Sequence, residues 1–133
     1  MEQVSSLATR RKRKSVARLT KNSKFFKALI HAIKEKKGDN IVSLDLRKIP
    51  EAVADFFIIC EASSTTQVKA IADFVDEHVR KTVQEAPYHS EGHQTAHWIL
   101  IDYVNIVVHV MLPETRKFYK LEEMWNDGEG EEY

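Results

Sequence analysis

Three histidines spaced four residues apart are the first candidates for chemistry in this sequence. His89, His93 and His97 would share one face of a helix, and imidazole nitrogens are common zinc ligands. However, Pro87 and Gly92 lie in or beside the segment, and its polar composition is typical of a loop. Neither an HExxH motif nor a cysteine pair accompanies the histidines. The pattern gives weak support to a metal site, so we predict neither a metal nor another cofactor.

Nucleophilic catalysis has equally little support. Cys60 ends an apolar run and is better explained as a small packed side chain than as a nucleophile. Ser63 and Ser64 are typical of a loop and a helix cap, and the motifs GxSxG, GxxxxGK[ST] and GxGxxG do not occur. His109 lies inside an apolar run with no nucleophile beside it, which favours a structural role over a catalytic one. We therefore predict no catalytic residues.

The segment WILIDYVNIVVHV, residues 98–110, is apolar apart from Asp102, Asn105 and His109. Thirteen residues exceed the usual length of one strand, so the segment predicts a hairpin rather than a single strand. Asp and Asn are turn formers, which puts the turn at residues 102–105. Trp98 and Tyr103 in this hairpin are equally compatible with an interface and with the core, because such aromatic residues dominate both.

Hydrophobic periodicity and helix-capping residues place the remaining elements. Helix positions Phe118, Leu121 and Trp125 share one face at the end of the chain, and Gly38 is suited to a left-handed helix end. The order α-β-β-α-β-β-α predicts an α+β domain with a single mixed β-sheet packed with helices. The predicted elements are a helix at 23–37, strands at 41–47 and 55–60, a helix at 65–84, a polar loop at 87–97, the hairpin strands at 98–101 and 106–111, and a helix at 114–126.

Charge divides the chain although the formal net charge is zero. Residues 1–37 contain 12 Lys or Arg and 2 Asp or Glu, whereas residues 38–133 contain 8 and 18. We expect residues 1–22 to form a disordered basic tail, 23–126 the folded domain and 127–133 a frayed acidic tail. A cluster in the basic tail has the composition of an RNA-phosphate contact. Its residues are Arg10, Arg11, Lys12, Arg13 and Lys14.

Composition also bears on where the protein works. The sequence has neither an apolar run of about 18 residues nor an apolar segment after its basic N-terminus, so we predict neither a membrane span nor a secretory signal. A single cysteine fits a reducing compartment. These features predict a cytoplasmic protein without a membrane partner.

Three segments of the chain form a distinctive set, namely DFFIICEASSTTQVKAIADFV (55–75), WILIDYVNIVVHVM (98–111) and TRKFYKLEEMW (115–125). They resemble, in this order, three motifs of the ribosomal silencing factor family, also called the Iojap family. The resemblance extends over residues 24–126. It implies a nucleotidyltransferase-like fold in a protein that is not an enzyme. It also implies binding to the large ribosomal subunit through ribosomal protein uL14, which blocks joining of the small subunit and represses translation when nutrients are short.

The same resemblance implies which residues recognise the ribosomal protein, with Leu121 and Trp125 in a more structural role. The family commonly has glycine where this chain has Val104, which disfavours a positive φ there and could alter the turn, and aspartate in place of Asn105. The implied recognition residues are Trp98, Leu100, Asp102, Tyr103, Asn105, His109 and Tyr119.

Two other function classes remain open from the sequence. An enzyme, either nucleotidyltransferase-like or metal-dependent, would need paired acidic ligands on adjacent strands, and the sequence offers no such pair. An RNA-binding module would act through the basic tail, which could also contact ribosomal RNA in a silencing factor. A homodimer is compatible with all three classes.

Overall fold

The computed structural model of this protein describes residues 23–133. The expectations for residues 1–22, including the RNA contact through Arg10–Lys14, lie outside the described residues. The described part consists of four helices and six strands. In chain order they are α1 (Lys24–Glu35), β1 (Asp39–Asp45), β2 (Phe56–Glu61), α2 (Thr65–Val83), β3 (His89–Glu91), β4 (Trp98–Asp102), β5 (Ile106–Met111), α3 (Pro113–Tyr119), α4 (Leu121–Met124) and β6 (Glu129–Glu132).

The six strands form one sheet in the order β3-β4-β5-β2-β1-β6. β2 and β5 are parallel, with Phe56 opposite Ile106, and the other neighbours are antiparallel. The mixed sheet packed with helices confirms the predicted α+β class. The predicted hairpin is also confirmed, because β4 pairs with β5 and places Trp98 opposite Met111.

Strand β2 lies in the centre of the sheet, as its continuous apolar sequence predicts. Successive strand residues point to opposite faces, so β2 contributes to two cores. Phe56 and Ile58 belong to a core on the helix side, whereas Phe57 and Ile59 belong to a second core on the other side. We call the two sides of the sheet the helix side and the open side.

Helices α1 and α2 cover the helix side. Ser23 caps α1 by accepting a hydrogen bond from the backbone N–H of Phe26 at 3.2 Å, and Ser64 caps α2 in the same way. Leu29 and Ile71 are fully buried between these helices and the sheet. Each such side chain contributes about 1.5–3 kcal/mol of burial free energy, so amphipathic packing is what fixes both helices to the sheet.

The end of α1 differs from the prediction in one detail. Lys37, with φ 61°, takes the left-handed conformation, so the expectation that Gly38 does so is wrong. A Cβ atom at Gly38 would lie 2.5 Å from Cγ2 of Ile33. The glycine therefore allows close approach of the chain to the helix rather than a left-handed turn.

The open side has a smaller and less complete cover. Leu44, Leu46 and Leu121 are buried there, in a core that also includes Ala52 and Ala54 of the segment after β1. Trp125 packs edge-on against Phe57 with ring centroids 5.9 Å apart, which confirms its structural role. Towards β4 this cover ends, and the sheet surface becomes accessible.

Two C-terminal expectations are wrong. The last helix is not continuous, since Lys120 has φ 49° and separates α3 from α4. The residues expected to form a frayed acidic tail include strand β6, which pairs with β1. The Tyr133 backbone N–H donates to the Ile41 carbonyl at 2.9 Å, and the Tyr133 and Ser43 hydroxyls lie 3.0 Å apart. Tertiary partners on β1 thus make a strand from an acidic sequence with low β-propensity.

The polar loop expected at 87–97 also contains regular structure. His89, Ser90 and Glu91 form β3, which pairs with β4 at the edge of the sheet. Three exposed polar residues carry no alternating apolar pattern, so the sequence had no signal for this strand.

Candidate recognition surface on the open side of the sheet

The β4–β5 hairpin places alternate residues on the open side. Leu100 lies opposite His109 and Trp98 lies opposite Met111, so all four side chains share this face. Ile99 and Ile101 point to the helix side and are buried in its core. The strand period of two therefore separates the candidate recognition residues from the core residues between them.

Trp98 and His109 form a hydrogen bond across the hairpin. The indole Nε1–H donates to Nδ1 of His109 at 3.1 Å. Because indole nitrogen is only a donor, Nδ1 must be unprotonated, and a neutral His109 carries its proton on Nε2. Nε2 is buried and has no hydrogen-bond partner among residues 23–133. Phe57 packs edge-on against the imidazole at 4.6 Å.

Burial keeps His109 uncharged. Only 3% of the residue is exposed, and desolvation lowers the pKa of His109 from 6.5 to about 3. At neutral pH the imidazole therefore offers a partner neither a positive charge nor an exposed base. The geometry supports a positioning role, in which His109 holds the indole of Trp98 in one orientation.

Helix α3 adds two exposed aromatic side chains beside Trp98. Tyr119 is 48% exposed, and its ring centroid lies 4.9 Å from that of Trp98. Phe118 is 77% exposed and packs edge-on against Tyr119 at 5.0 Å. With half-buried Trp98 and Leu100, these two residues form what we call the aromatic patch, consisting of Trp98, Leu100, Phe118 and Tyr119.

The sequence analysis did not predict that Phe118 is a surface residue. Helical spacing assigned it to one face with Leu121 and Trp125, but that spacing requires a continuous helix. The left-handed conformation of Lys120 interrupts the helix, so Phe118 is exposed while Leu121 remains buried. No feature of the sequence gives a clear signal for this break.

Arg116 fixes α3 to the sheet. Its guanidinium donates two hydrogen bonds to Glu122, the shorter at 2.9 Å, and one to Glu61 at 3.1 Å. It also donates to the Asn40 carbonyl at 2.7 Å. The side chain is only 11% exposed. A single arginine thereby joins α3 to α4, β1 and β2, which sets the position of Tyr119 on the patch.

The hairpin turn holds the other implied recognition residues, and two of them are almost fully buried. Asp102 is 3% exposed and Tyr103 is 6% exposed. The Asp102 Oδ1 accepts a hydrogen bond from the Val104 N–H at 2.8 Å, while the Tyr103 ring packs edge-on against Phe25 at 5.1 Å. Desolvation raises the pKa of Tyr103. In this structure the contacts of Asp102 and Tyr103 stabilise the turn.

Val104 adopts a positive φ of 76°, contrary to the expectation that valine would disfavour it. The Asn105 N–H donates to the Tyr103 carbonyl at 2.9 Å, which makes Val104 the centre of a tight three-residue γ-turn. The Asn105 carbonyl in turn accepts from the Asp55 N–H at 2.8 Å. These hydrogen bonds, together with the one that Asp102 accepts from the Val104 N–H, hold a conformation that a β-branched residue rarely takes.

The remaining candidates for chemistry do not assemble into a site. Cys60 is fully buried, and desolvation raises the pKa of its thiol to about 12, so it is not a reactive thiolate at neutral pH. His89 hydrogen-bonds to Glu91 at 3.0 Å, and His93 hydrogen-bonds to Ser90 at 3.1 Å. Across residues 23–133, no three His, Cys, Asp or Glu side chains are grouped so that they could hold a metal ion.

In the part of the chain that the structure describes, none of the helices has both the length and the apolar character needed to cross a bilayer.

Fold and site together define an α+β protein whose candidate functional site is an aromatic recognition surface. Residues 20–132 match a family model described as ribosomal silencing factor during starvation. The chain therefore belongs to the ribosomal silencing factor family.

Individual relatives agree with this assignment. A ribosomal silencing factor from Halalkalibacterium halodurans is 36% identical over 109 residues, covering 80% of this chain and 89% of the relative. One from Bacillus subtilis is 37% identical over 97 residues, covering 72% and 80%. A crystal structure of a Chromobacterium violaceum protein superposes with a TM-score of 0.72 at 35% identity, covering 77% of this chain and 83% of that protein.

Proposed function

We propose that this protein binds the large ribosomal subunit through the aromatic patch and thereby represses translation. The observation that carries the proposal is the conjunction of family membership with two exposed aromatic side chains, Phe118 and Tyr119, beside the ordered indole of Trp98. Exposed Tyr, Trp and Phe side chains clustered on a rigid support are typical of interface hot spots. The patch has such a support in the β4–β5 hairpin and the Arg116-anchored helix α3.

The partner that fits best is a basic ribosomal protein on the face that meets the small subunit, and the family resemblance implies that it is uL14. Residues 38–133 contain 18 acidic and 8 basic residues, so this part of the folded domain attracts a cationic surface. A protein bound there excludes the small subunit sterically. Repression then depends on its concentration relative to its dissociation constant.

Within the patch the residues have different roles in this proposal. Tyr119 and Phe118 make direct contacts, and Trp98 and Leu100 form the apolar floor. His109 acts through Trp98, while Asp102, Tyr103 and Asn105 keep the turn in shape. This division follows burial, since the first two are the most exposed residues of the patch and the turn residues Asp102 and Tyr103 are almost fully buried.

Co-sedimentation with large ribosomal subunits, purified from the organism that encodes the chain, tests the proposal. Tyr119→Ala and Phe118→Ala remove exposed rings and should leave the fold intact. Truncation of an aromatic hot spot costs about 2 kcal/mol or more, which is a loss of affinity of about thirtyfold. Phe74→Ala, at a half-buried aromatic residue on the helix side, is the matched control and should bind like the parent.

The same variants should also lose inhibition of subunit joining in a purified translation system. Isolated uL14 provides the second binding assay, since the proposal expects parallel losses with it. Parent protein that fails to sediment with large subunits would contradict the proposed function. Parent-like binding by both folded patch variants would instead contradict the choice of surface.

A further inference from the structure

A groove of about 400 Å³ lies next to the aromatic patch, at the edge of the sheet. It is lined by Glu91, Gly92, Trp98 and Leu100. Glu91 comes from β3 and lies opposite Leu100 in the strand register, so the carboxylate and the apolar walls belong to one face. The groove therefore combines one carboxylate with an indole and an aliphatic side chain.

Gly92 gives the groove its shape. It has φ 92°, and a Cβ atom at this position would lie 1.9 Å from the Trp98 carbonyl oxygen. Only glycine allows the chain after β3 to approach the backbone of β4 so closely. This contact fixes the end of β3 and with it the position of Glu91 relative to Trp98.

We propose that this groove receives a basic side chain from the protein partner, with the guanidinium of an arginine as its best fit. The inference rests on the proposed function and names the chemistry of one contact within it. An arginine stem packs on apolar walls such as Trp98 and Leu100, and its planar head stacks on an indole and pairs with a carboxylate. An acidic groove of this kind repels nucleic-acid phosphates, so the occupant comes from protein.

One carboxylate oxygen of Glu91 is available for this contact. Its Oε2 lies 3.0 Å from Nε2 of His89, while its Oε1 has no hydrogen-bond partner among the described residues, and the side chain is 64% exposed. The indole of Trp98 is already oriented, since its hydrogen bond to His109 holds it in place. Little side-chain entropy is then lost at the indole on binding.

A second groove, of about 870 Å³, lies between β6 and α3 but has a different character. Its Arg116 already forms ion pairs with Glu61 and Glu122, so that cation and both carboxylates are committed to the fold. The second groove is also lined by Lys117, Lys120, Glu123 and Glu132, so it presents charges of both signs, whereas the groove at Glu91 is lined by one carboxylate and no cation.

Binding to purified large subunits at low and at high salt tests the inference. Glu91→Gln removes the charge at constant size and should weaken binding at low salt by roughly tenfold, as expected for loss of a charge-assisted hydrogen bond. The difference from the parent should shrink as salt rises, because salt screens exposed charges. Glu91→Lys reverses the charge and should lose more. Glu85→Gln, which changes an exposed carboxylate beyond the end of α2, should bind like the parent.

The outcomes separate this inference from the proposed function. If the parent binds and the folded variants Glu91→Gln and Glu91→Lys bind with the same affinity, the arginine contact is overturned. The aromatic patch then remains the proposed interface. Absence of parent binding would overturn the proposed function and this inference with it. Circular dichroism and melting curves establish that each variant is folded before binding is measured.

Discussion

The Nε1–H of Trp98 donates to Nδ1 of His109 across 3.1 Å, and this one bond links an exposed surface to a buried polar atom. It fixes the protonation state of the imidazole, since the acceptor nitrogen must be free of a proton. The imidazole in turn fixes the indole. The orientation of Trp98 in the patch therefore depends on a histidine that is itself buried.

The free energy of unfolding should decrease as the pH is lowered, because of His109. In the folded protein its pKa is lowered to about 3, whereas the unfolded chain protonates near 6.5. Between these values the unfolded state binds a proton that the folded state does not, so each pH unit of acidification costs up to about 1.4 kcal/mol of unfolding free energy. The effect is absent above pH 6.5 and grows as pH falls towards 3.

Urea unfolding of the parent and of His109→Asn at pH 7, 6, 5 and 4 measures this effect. Asparagine keeps a side-chain oxygen that can accept from Trp98 but does not titrate, so the variant should lose the histidine part of the slope. Carboxylates titrate in both proteins and cancel in the comparison. Identical slopes between pH 6.5 and 5 would show that His109 is not buried in its neutral form.

Substitutions at Val104 should follow an unusual order. Alanine keeps the positive-φ strain of about 1–2 kcal/mol, whereas glycine relieves it at an entropic cost of about 0.5–1 kcal/mol. Val104→Gly should therefore be more stable than Val104→Ala by about 0.5–1 kcal/mol in urea unfolding. Val42, in strand β1 and without a positive φ, is the control, and there alanine should be the more stable replacement. Alanine proving more stable than glycine at both positions would rule out the γ-turn.

Loss of the Arg116 side chain should lower the free energy of unfolding more than loss of an exposed arginine such as Arg80. Arg116→Ala leaves Glu61, only 18% exposed, without its partner and should cost about 2–3 kcal/mol in unfolding free energy. Arg80 pairs with Asp76 in an exposed i,i+4 arrangement, so Arg80→Ala should cost under about 1 kcal/mol. Equal costs for the two variants would mean that Arg116 does not anchor α3.

Metal chelators should leave the protein unchanged. His89 and His93 bond to Glu91 and Ser90 rather than to each other, so their side chains do not converge on a common ligand position. Treatment with EDTA should not alter the melting temperature or binding to large subunits. Stoichiometric zinc in purified protein, with loss of fold on its removal, would reverse this conclusion and revive a metal-dependent activity.

Local pattern was sufficient for the central elements. The continuous apolar run DFFIIC predicted the buried central strand, and Asp102 and Asn105 marked the turn of the hairpin. Ser64 was a cap candidate in the sequence and caps α2, because a helix N-terminus favours a side-chain acceptor at that position. Three ordered motifs carried the family assignment. All these signals lie within short stretches of sequence.

Tertiary structure decided which aromatic residues are exposed. Tyr103 and Phe118 are both aromatic residues in family motifs, yet one is buried against Phe25 and the other is 77% exposed. The difference comes from the γ-turn at Val104 and the helix break at Lys120. Both residues have a positive φ, which non-glycine residues rarely adopt. The turn is also held by a hydrogen bond from the distant Asp55 N–H to the Asn105 carbonyl. Strand β6 exists because β1 offers it hydrogen bonds. Sequence determines such features only through contacts between distant residues, and local pattern does not report those contacts.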